Sequence, residues 1–232
     1  DLRTYYHLML PLADVPSDVG LEYEEHWVPV VDDIYLHVWY LPAHLDRGVV
    51  VLSNGNSGPM SCYLFSADLL TSNGWSVVMY EYEGYGLSDG QASLDTLYRD
   101  LSTVVDWAIV YTGRDEVTLM GVSLGSIPSI AVGVDRPDMV NGVILDSPIA
   151  LGAQVERFSF VVGGRTDWIL DQLDETLLPD QLIQWLHQPL LVYLHELDGI
   201  ATPQTVEDLY NLAPGRKQLV RFFQALGPTH PQ

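Results

Sequence analysis

The sequence predicts an α/β protein: a mostly parallel central sheet, an antiparallel hairpin at its N-terminal end, and helices on both faces. Three observations predict it. Short apolar, β-branched runs alternate with segments of helical periodicity along most of the chain, the pattern of strand–helix–strand units. Two early runs flank Asp32-Asp33 with loose alternation, as a hairpin does. A third run, Glu116 to Val122, ends in Gly121-Val122-Ser123-Leu124-Gly125 and passes into the helically spaced Ile127, Ile130, Ala131 and Val134.

In chain order, residues 1–20 contain Pro11, Pro16 and Gly20 and read as an irregular lead-in. Leu21 to Val31 and Ile34 to Leu41 form the hairpin. Gly48 to Ser53 is continuously apolar, a strand buried on both faces. It opens into Asn54-Gly55-Asn56-Ser57-Gly58, and a helix follows over Cys62 to Thr71, ended by Asn73-Gly74, residues that suit a left-handed helix end. Trp75 to Tyr80 is a strand, and Glu81 to Gly90 a long turn. Ser93 caps a helix to about Tyr111, with Leu94, Leu97, Leu101, Val104, Val105 and Ala108 on its apolar stripe. After the Ser123 strand and its helix, closed by Arg136-Pro137, Val143 to Leu145 is a strand ending at Asp146-Ser147-Pro148. Residues 149–188 contain no strand-like run, and Leu170, Leu173, Leu177, Leu178, Leu182 and Trp185 suggest one or two short helices. Leu190 to Leu194 is a strand, Pro203 starts a helix to about Leu212, and Leu219 to Phe223 is the last strand.

Composition narrows the function classes. The 232 residues suit one domain, 1–232, with 149–188 as a short cap-like helical segment. The formal net charge of −21 argues against nucleic acid and anionic membrane surfaces as partners, because the summed field repels both. It fits either adaptation to high salt or an acidic surface that keeps the protein soluble. No run of about 18 apolar residues exists, so a soluble domain with no membrane span is expected. The chain begins at Asp1 rather than Met, which leaves room for a leader or anchor upstream. Cys62 is the only cysteine, so no intrachain disulfide can form, and its neighbours Tyr63, Leu64 and Phe65 favour a buried thiol. Oligomeric state is not legible.

Strand, Gly-x-Ser-x-Gly and helix together are the context in which that motif marks a nucleophile elbow. The alternative is a Gly-rich turn with an exposed serine. A serine hydroxyl is a poor nucleophile unless a base takes its proton and an acid orients that base. His230 follows the last strand at a carboxyl end and is the preferred base; His195 competes. Asp198, past the strand Leu190–Leu194, is the preferred acid. Asp146 is the runner-up, and Glu196 a weaker option. A developing oxyanion needs two N–H donors: Leu124, at a helix start, and Asn56, in the loop after Gly48–Ser53. Tyr63, Tyr85, Phe158, Phe160 and Trp168 are candidates to line a substrate cleft, against the alternative of ordinary core packing.

Together these residues resemble the α/β-hydrolase superfamily, and within it the Bem46-like serine hydrolases near the monoacylglycerol lipase and serine aminopeptidase-like branches. Leu21-Glu22-Tyr23-Glu24-Glu25 and Leu36 to Ala43 match the family's opening hairpin. Asn54-Gly55-Asn56 stands where the family has His-Gly-Asn, which implies Asn56 as oxyanion donor. Tyr82 to Gly90 matches its Tyr-Arg-Gly-Tyr-Gly-x-Ser-x-Gly turn. Ser123, Asp198 and His230 fall on its triad positions. The sequence departs from the family at Asn54, at Glu83 in place of Arg, and at His195-Glu196 in place of His-Gly. It also stops two residues after His230, before the family's final helix. The resemblance implies a serine hydrolase without metal or organic cofactor. The short 149–188 segment suggests an open cleft for a small-molecule, short-acyl ester, a carboxylesterase activity. Thioesterase, lysophospholipase and peptidase activities on the same triad, or a non-catalytic binding role, remain alternatives.

Overall fold

The computed structural model describes residues 15–31, 33–56, 58–151 and 178–223. The strands are β1 (Glu24–Val31), β2 (Ile34–Leu41), β3 (Gly48–Ser53), β4 (Trp75–Tyr80), β5 (Val117–Val122), β6 (Val140–Asp146), β7 (Leu190–His195) and β8 (Lys217–Phe222). The helices among the described residues are α1 (Leu64–Ser72), α2 (Leu94–Thr112), α3 (Ser126–Asp135), α4 (Pro179–Leu182) and α5 (Pro203–Leu212). The strands make one sheet in the order β1-β2-β4-β3-β5-β6-β7-β8. β1 pairs antiparallel with β2, and β2 with β4; every later pairing is parallel. This is the α/β-hydrolase fold that the sequence predicts.

Alternation along the central strands feeds two cores. Val49 and Val51 of β3, Val78 and Tyr80 of β4, and Leu119 of β5 face one side, where Leu97, Leu101, Val104 and Ala108 of α2 and Ile130 of α3 cover them. Val50 and Leu52, Val77 and Met79, and Met120 face the other, packed with Leu64 and Ala67 of α1 and with Trp39. Strands buried on both faces account for the continuous apolar runs. The α2 cap is as expected: Thr96 N–H donates to the Ser93 hydroxyl at 3.1 Å, and Ser93 N–H to the Thr96 hydroxyl at 2.9 Å. Gly113 closes the helix at φ 69°.

Tertiary pairing moves several boundaries. β6 begins at Val140 rather than Val143. Asn141-Gly142 has the composition of a turn, yet β5 holds it extended: Gly142 is in register with Thr118, whose hydroxyl donates to Asn141 Oδ1 at 2.7 Å. β8 begins at Lys217, two residues early, because an edge strand tolerates polar residues. The lead-in contains a 3-10 turn, Pro16–Val19, and another, Met60–Tyr63, precedes α1, which starts two residues later than expected. Of 149–188, the structure describes α4 and a 3-10 turn at Ile183–Trp185. Leu170, Leu173 and Leu177 lie outside the described residues. Among those described, no helix is long and apolar enough to cross a membrane.

Candidate active site

Parallel strands end on a common edge, and in open α/β sheets that edge carries function. Ser123 stands there, directly after β5. Its φ is +49°, in the left-handed region that a residue with a Cβ seldom occupies. Such strain costs about 1–3 kcal/mol and persists only where the surroundings enforce it. Two glycines allow it. A Cβ at Gly121 would lie 2.4 Å from the Gly125 carbonyl oxygen, and one at Gly125 would lie 2.1 Å from that of Ser53. The turn is then tied into α3 and the chain beyond β6. The Ser126 hydroxyl donates to the Ser123 carbonyl at 2.6 Å and accepts the Ile149 N–H at 2.9 Å. The Ser129 hydroxyl donates to the Gly125 carbonyl at 2.8 Å. Leu124 follows in the 3-10 turn Ser123–Gly125 that opens into α3, at the positive end of the helix dipole.

The loop after β3 passes beside Ser123. A Cβ on Gly55 would be 3.2 Å from Ser123 Cβ and 2.7 Å from the Tyr63 hydroxyl oxygen. Gly55 N–H donates to the Tyr63 hydroxyl at 2.9 Å, and the Tyr85 hydroxyl donates to Asn56 Oδ1 at 2.6 Å. The structure therefore gathers Ser123, Leu124, Asn56, Tyr63 and Tyr85. Asn54 is fully buried, and its carbonyl accepts from the Tyr82 hydroxyl at 2.7 Å.

Asp198 lies three residues past β7, with its N–H donating to the His195 carbonyl at 3.1 Å. Its Oδ1 accepts two backbone N–H groups, Ile200 at 2.7 Å and Ala201 at 3.0 Å, which fixes the carboxylate within its turn. The two competing residues pair with each other: His195 Nε2 is 2.8 Å from Asp146 Oδ1, and the His195 ring stacks on Phe222. Strand order gives that pair its meaning. β6 lies between β5 and β7, so Asp146 stands between Ser123 and His195. His195 and Asp146 thus tie the ends of β6 and β7 together. Burial and the nearby Asp146 carboxylate raise the Tyr193 hydroxyl pKa beside this clamp. His230, Phe158, Phe160 and Trp168 lie outside the described residues.

One group escaped the sequence reading. Asp100, fully buried, sits on the apolar stripe of α2 between Leu97 and Leu101, and its Oδ2 accepts the Glu83 N–H at 2.9 Å. A carboxylate on an otherwise apolar helix face was the available signal. Glu83, the reversed charge of the turn, is itself buried and ion-paired with Arg99. α2 thereby supplies the guanidinium that the turn lacks. Burial, above all, pushes the Asp100 carboxyl up to about 7; the Glu83 carboxylate adds to the rise, while the Glu83 N–H and Arg99 oppose it. An unfolded Asp titrates near 4. Between about pH 4 and 7 the folded protein holds a proton that the unfolded chain has lost, so stability falls as pH rises through that window. Asp100→Asn is expected to raise the melting temperature at pH 8 by several degrees more than at pH 5. Equal changes at both pH values would sink this account.

Comparison with known proteins places these features. Residues 45–188 match the family described as "Serine aminopeptidase, S33". An uncharacterized protein of Mycobacterium tuberculosis is 28% identical over 198 residues, 83% of this chain and 68% of that protein. Lysophosphatidylserine lipase ABHD12 of Xenopus tropicalis is 25% identical over 260 aligned positions, 93% of this chain and 66% of the relative. The Pyrococcus furiosus esterase Pf2001 superposes with a TM-score of 0.72 at 16% identity, over 92% of this chain and 85% of that one.

Proposed function

The chain belongs to the serine aminopeptidase S33 family of α/β-hydrolases, and on that premise we propose that it is a carboxylesterase cleaving small or short-acyl esters through an acyl-enzyme on Ser123. The observation that carries this reading is the left-handed Ser123, held by glycine contacts at the carboxyl end of β5 with the Asn54–Asn56 loop alongside. The family match supports a serine-hydrolase type; the ester preference comes from the short segment at 149–188.

The Ser123 Oγ attacks the ester carbonyl carbon while His230 takes its proton. Asp198, its Oδ1 already held by two backbone amides, accepts the imidazole N–H through its other oxygen and stabilises the imidazolium. The N–H groups of Leu124 and Asn56 receive the oxyanion. His230 then protonates the departing alcohol, leaving Ser123 acylated. Water, deprotonated by His230, attacks the acyl carbon, releases the acid and restores the serine. No metal or organic cofactor enters these steps. The whole chain, 1–232, acts as one catalytic domain on a small-molecule ester.

The test is covalent labelling by a fluorophosphonate. The folded protein is expected to gain one adduct on the peptide containing Ser123, and Ser123→Ala none. A folded sample that takes no label, under conditions that label a control esterase, leaves a non-catalytic binding protein. A lysophospholipid is the second substrate to try, because one relative is a lysophosphatidylserine lipase.

A further inference from the structure

Four consecutive residues, Ser53 at the end of β3 and Asn54 to Asn56 of the loop beside Ser123, each bond to a different tyrosine hydroxyl. Ser53 Oγ is 2.9 Å from the Tyr80 hydroxyl, and the Asn54 carbonyl accepts from Tyr82 at 2.7 Å. Gly55 N–H donates to Tyr63 at 2.9 Å, and Asn56 Oδ1 accepts from Tyr85 at 2.6 Å. Three of the rings form a continuous edge-on stack, with centroids 5.2 Å apart for Tyr80 and Tyr82 and 5.6 Å apart for Tyr82 and Tyr85. β4 and the turn after it thus present a file of hydroxyls to a loop whose Gly and Asn residues have little conformational preference of their own.

The geometry points to Tyr63 and Tyr85 as positioning residues that fix the 55–56 peptide, so that the Asn56 N–H serves as the second oxyanion donor; this rests on the esterase reading above. The two hydroxyls bracket that peptide. Tyr63 takes the Gly55 N–H on one side, which removes it from the choice of donors. Tyr85 holds the Asn56 side chain on the other. These bonds hold the groups on either side of the 55–56 peptide, the Gly55 N–H and the Asn56 side chain, and leave the peptide only a concerted counter-rotation of ψ at Gly55 and φ at Asn56. The Gly55 site itself is closed to larger residues, since a Cβ there would meet Tyr63 at 2.7 Å. Burial, with the Glu81 carboxylate adding to it, raises the Tyr85 hydroxyl pKa, so it stays protonated and able to donate. Tyr85 reads from the sequence as a cleft-lining residue; in the structure its hydroxyl donates to Asn56 Oδ1.

The experiment compares the 232-residue wild-type chain with Tyr85→Phe, Tyr63→Phe, Asn56→Ala and the Tyr85→Phe/Asn56→Ala double variant on p-nitrophenyl butyrate. Each Phe variant keeps its ring and is expected to lose about ten- to a hundredfold in kcat with KM within about twofold, less than the loss of a whole donor. Asn56→Ala keeps the backbone N–H but removes the Oδ1 acceptor, so it reproduces the Tyr85→Phe loss. The double variant is expected to lose no more than either single one, the mark of a residue acting through another. A raised KM with unchanged kcat, or additive losses in the double variant, would overturn the proposal and return Tyr85 to direct substrate contact. A wild type that hydrolyses no ester fails the esterase reading itself and takes the proposal with it. An active wild type matched by its Phe variants fails the proposal alone.

Discussion

Asp198→Asn is expected to lower kcat for a short-acyl ester by about 10⁴-fold, the scale seen when a triad acid loses its charge. Asp146→Asn is expected to cost no more than about tenfold. The two acids occupy equivalent places in the sequence, each just past or at the end of a late strand. Their surroundings differ. Asp198 Oδ1 is pinned by the Ile200 and Ala201 amides, so the carboxylate has a fixed orientation within an Asp-Gly turn. Asp146 is occupied by His195, on the side of β6 away from Ser123. An amide at 198 cannot stabilise an imidazolium and favours the wrong tautomer of the base. An amide at 146 still hydrogen-bonds His195. Steady-state kinetics on both variants decide the matter, and the reverse ranking would move the acid to Asp146.

The second large effect concerns stability. Gly125→Ala is expected to destabilise the protein by about 3 kcal/mol or more, at the upper end of overpacking costs. The new Cβ would stand 2.1 Å from the Ser53 carbonyl oxygen, 2.6 Å from its carbon and 2.9 Å from Ser53 Cβ. None of these is the loose end of a flexible side chain. Ser53 is fully buried, hydrogen-bonded to Tyr80, at the end of a strand between β4 and β5. Relief requires α3 to move off the sheet, which breaks the elbow as well. The melting temperature should fall by roughly 6–12 °C for a chain of this size. Gly142→Ala is the control: its Cβ would meet nothing nearer than 3.6 Å and should leave the melting temperature nearly unchanged. Comparable losses at the two positions would show that close packing at the elbow is not the cause.

Much of the architecture was legible because it depends on short-range pattern. Runs such as Gly48–Ser53 and Trp75–Tyr80 are apolar on both faces only if helices cover both sides of a sheet. The sequence reading missed where pairing overrides local preference, as at Asn141-Gly142, which β5 holds extended. At the candidate site, the left-handed turn at Ser123 was legible because the Gly-x-Ser-x-Gly motif states its own backbone demand. The contact of Glu83 with Asp100 was not, since the two lie 17 positions apart and meet only through the packing of α2 under the turn.

The sequence by itself determined an α/β sheet with an elbow at Ser123, because glycine spacing and hydrophobic period are properties of the chain taken locally. Only the tertiary structure decided that His195 belongs to Asp146, that α2 answers the reversed charge at Glu83, and that four tyrosines converge on residues 53–56. Each of these is a meeting of side chains from different elements. Strand order and helix packing set such meetings, and no periodicity in one segment records them.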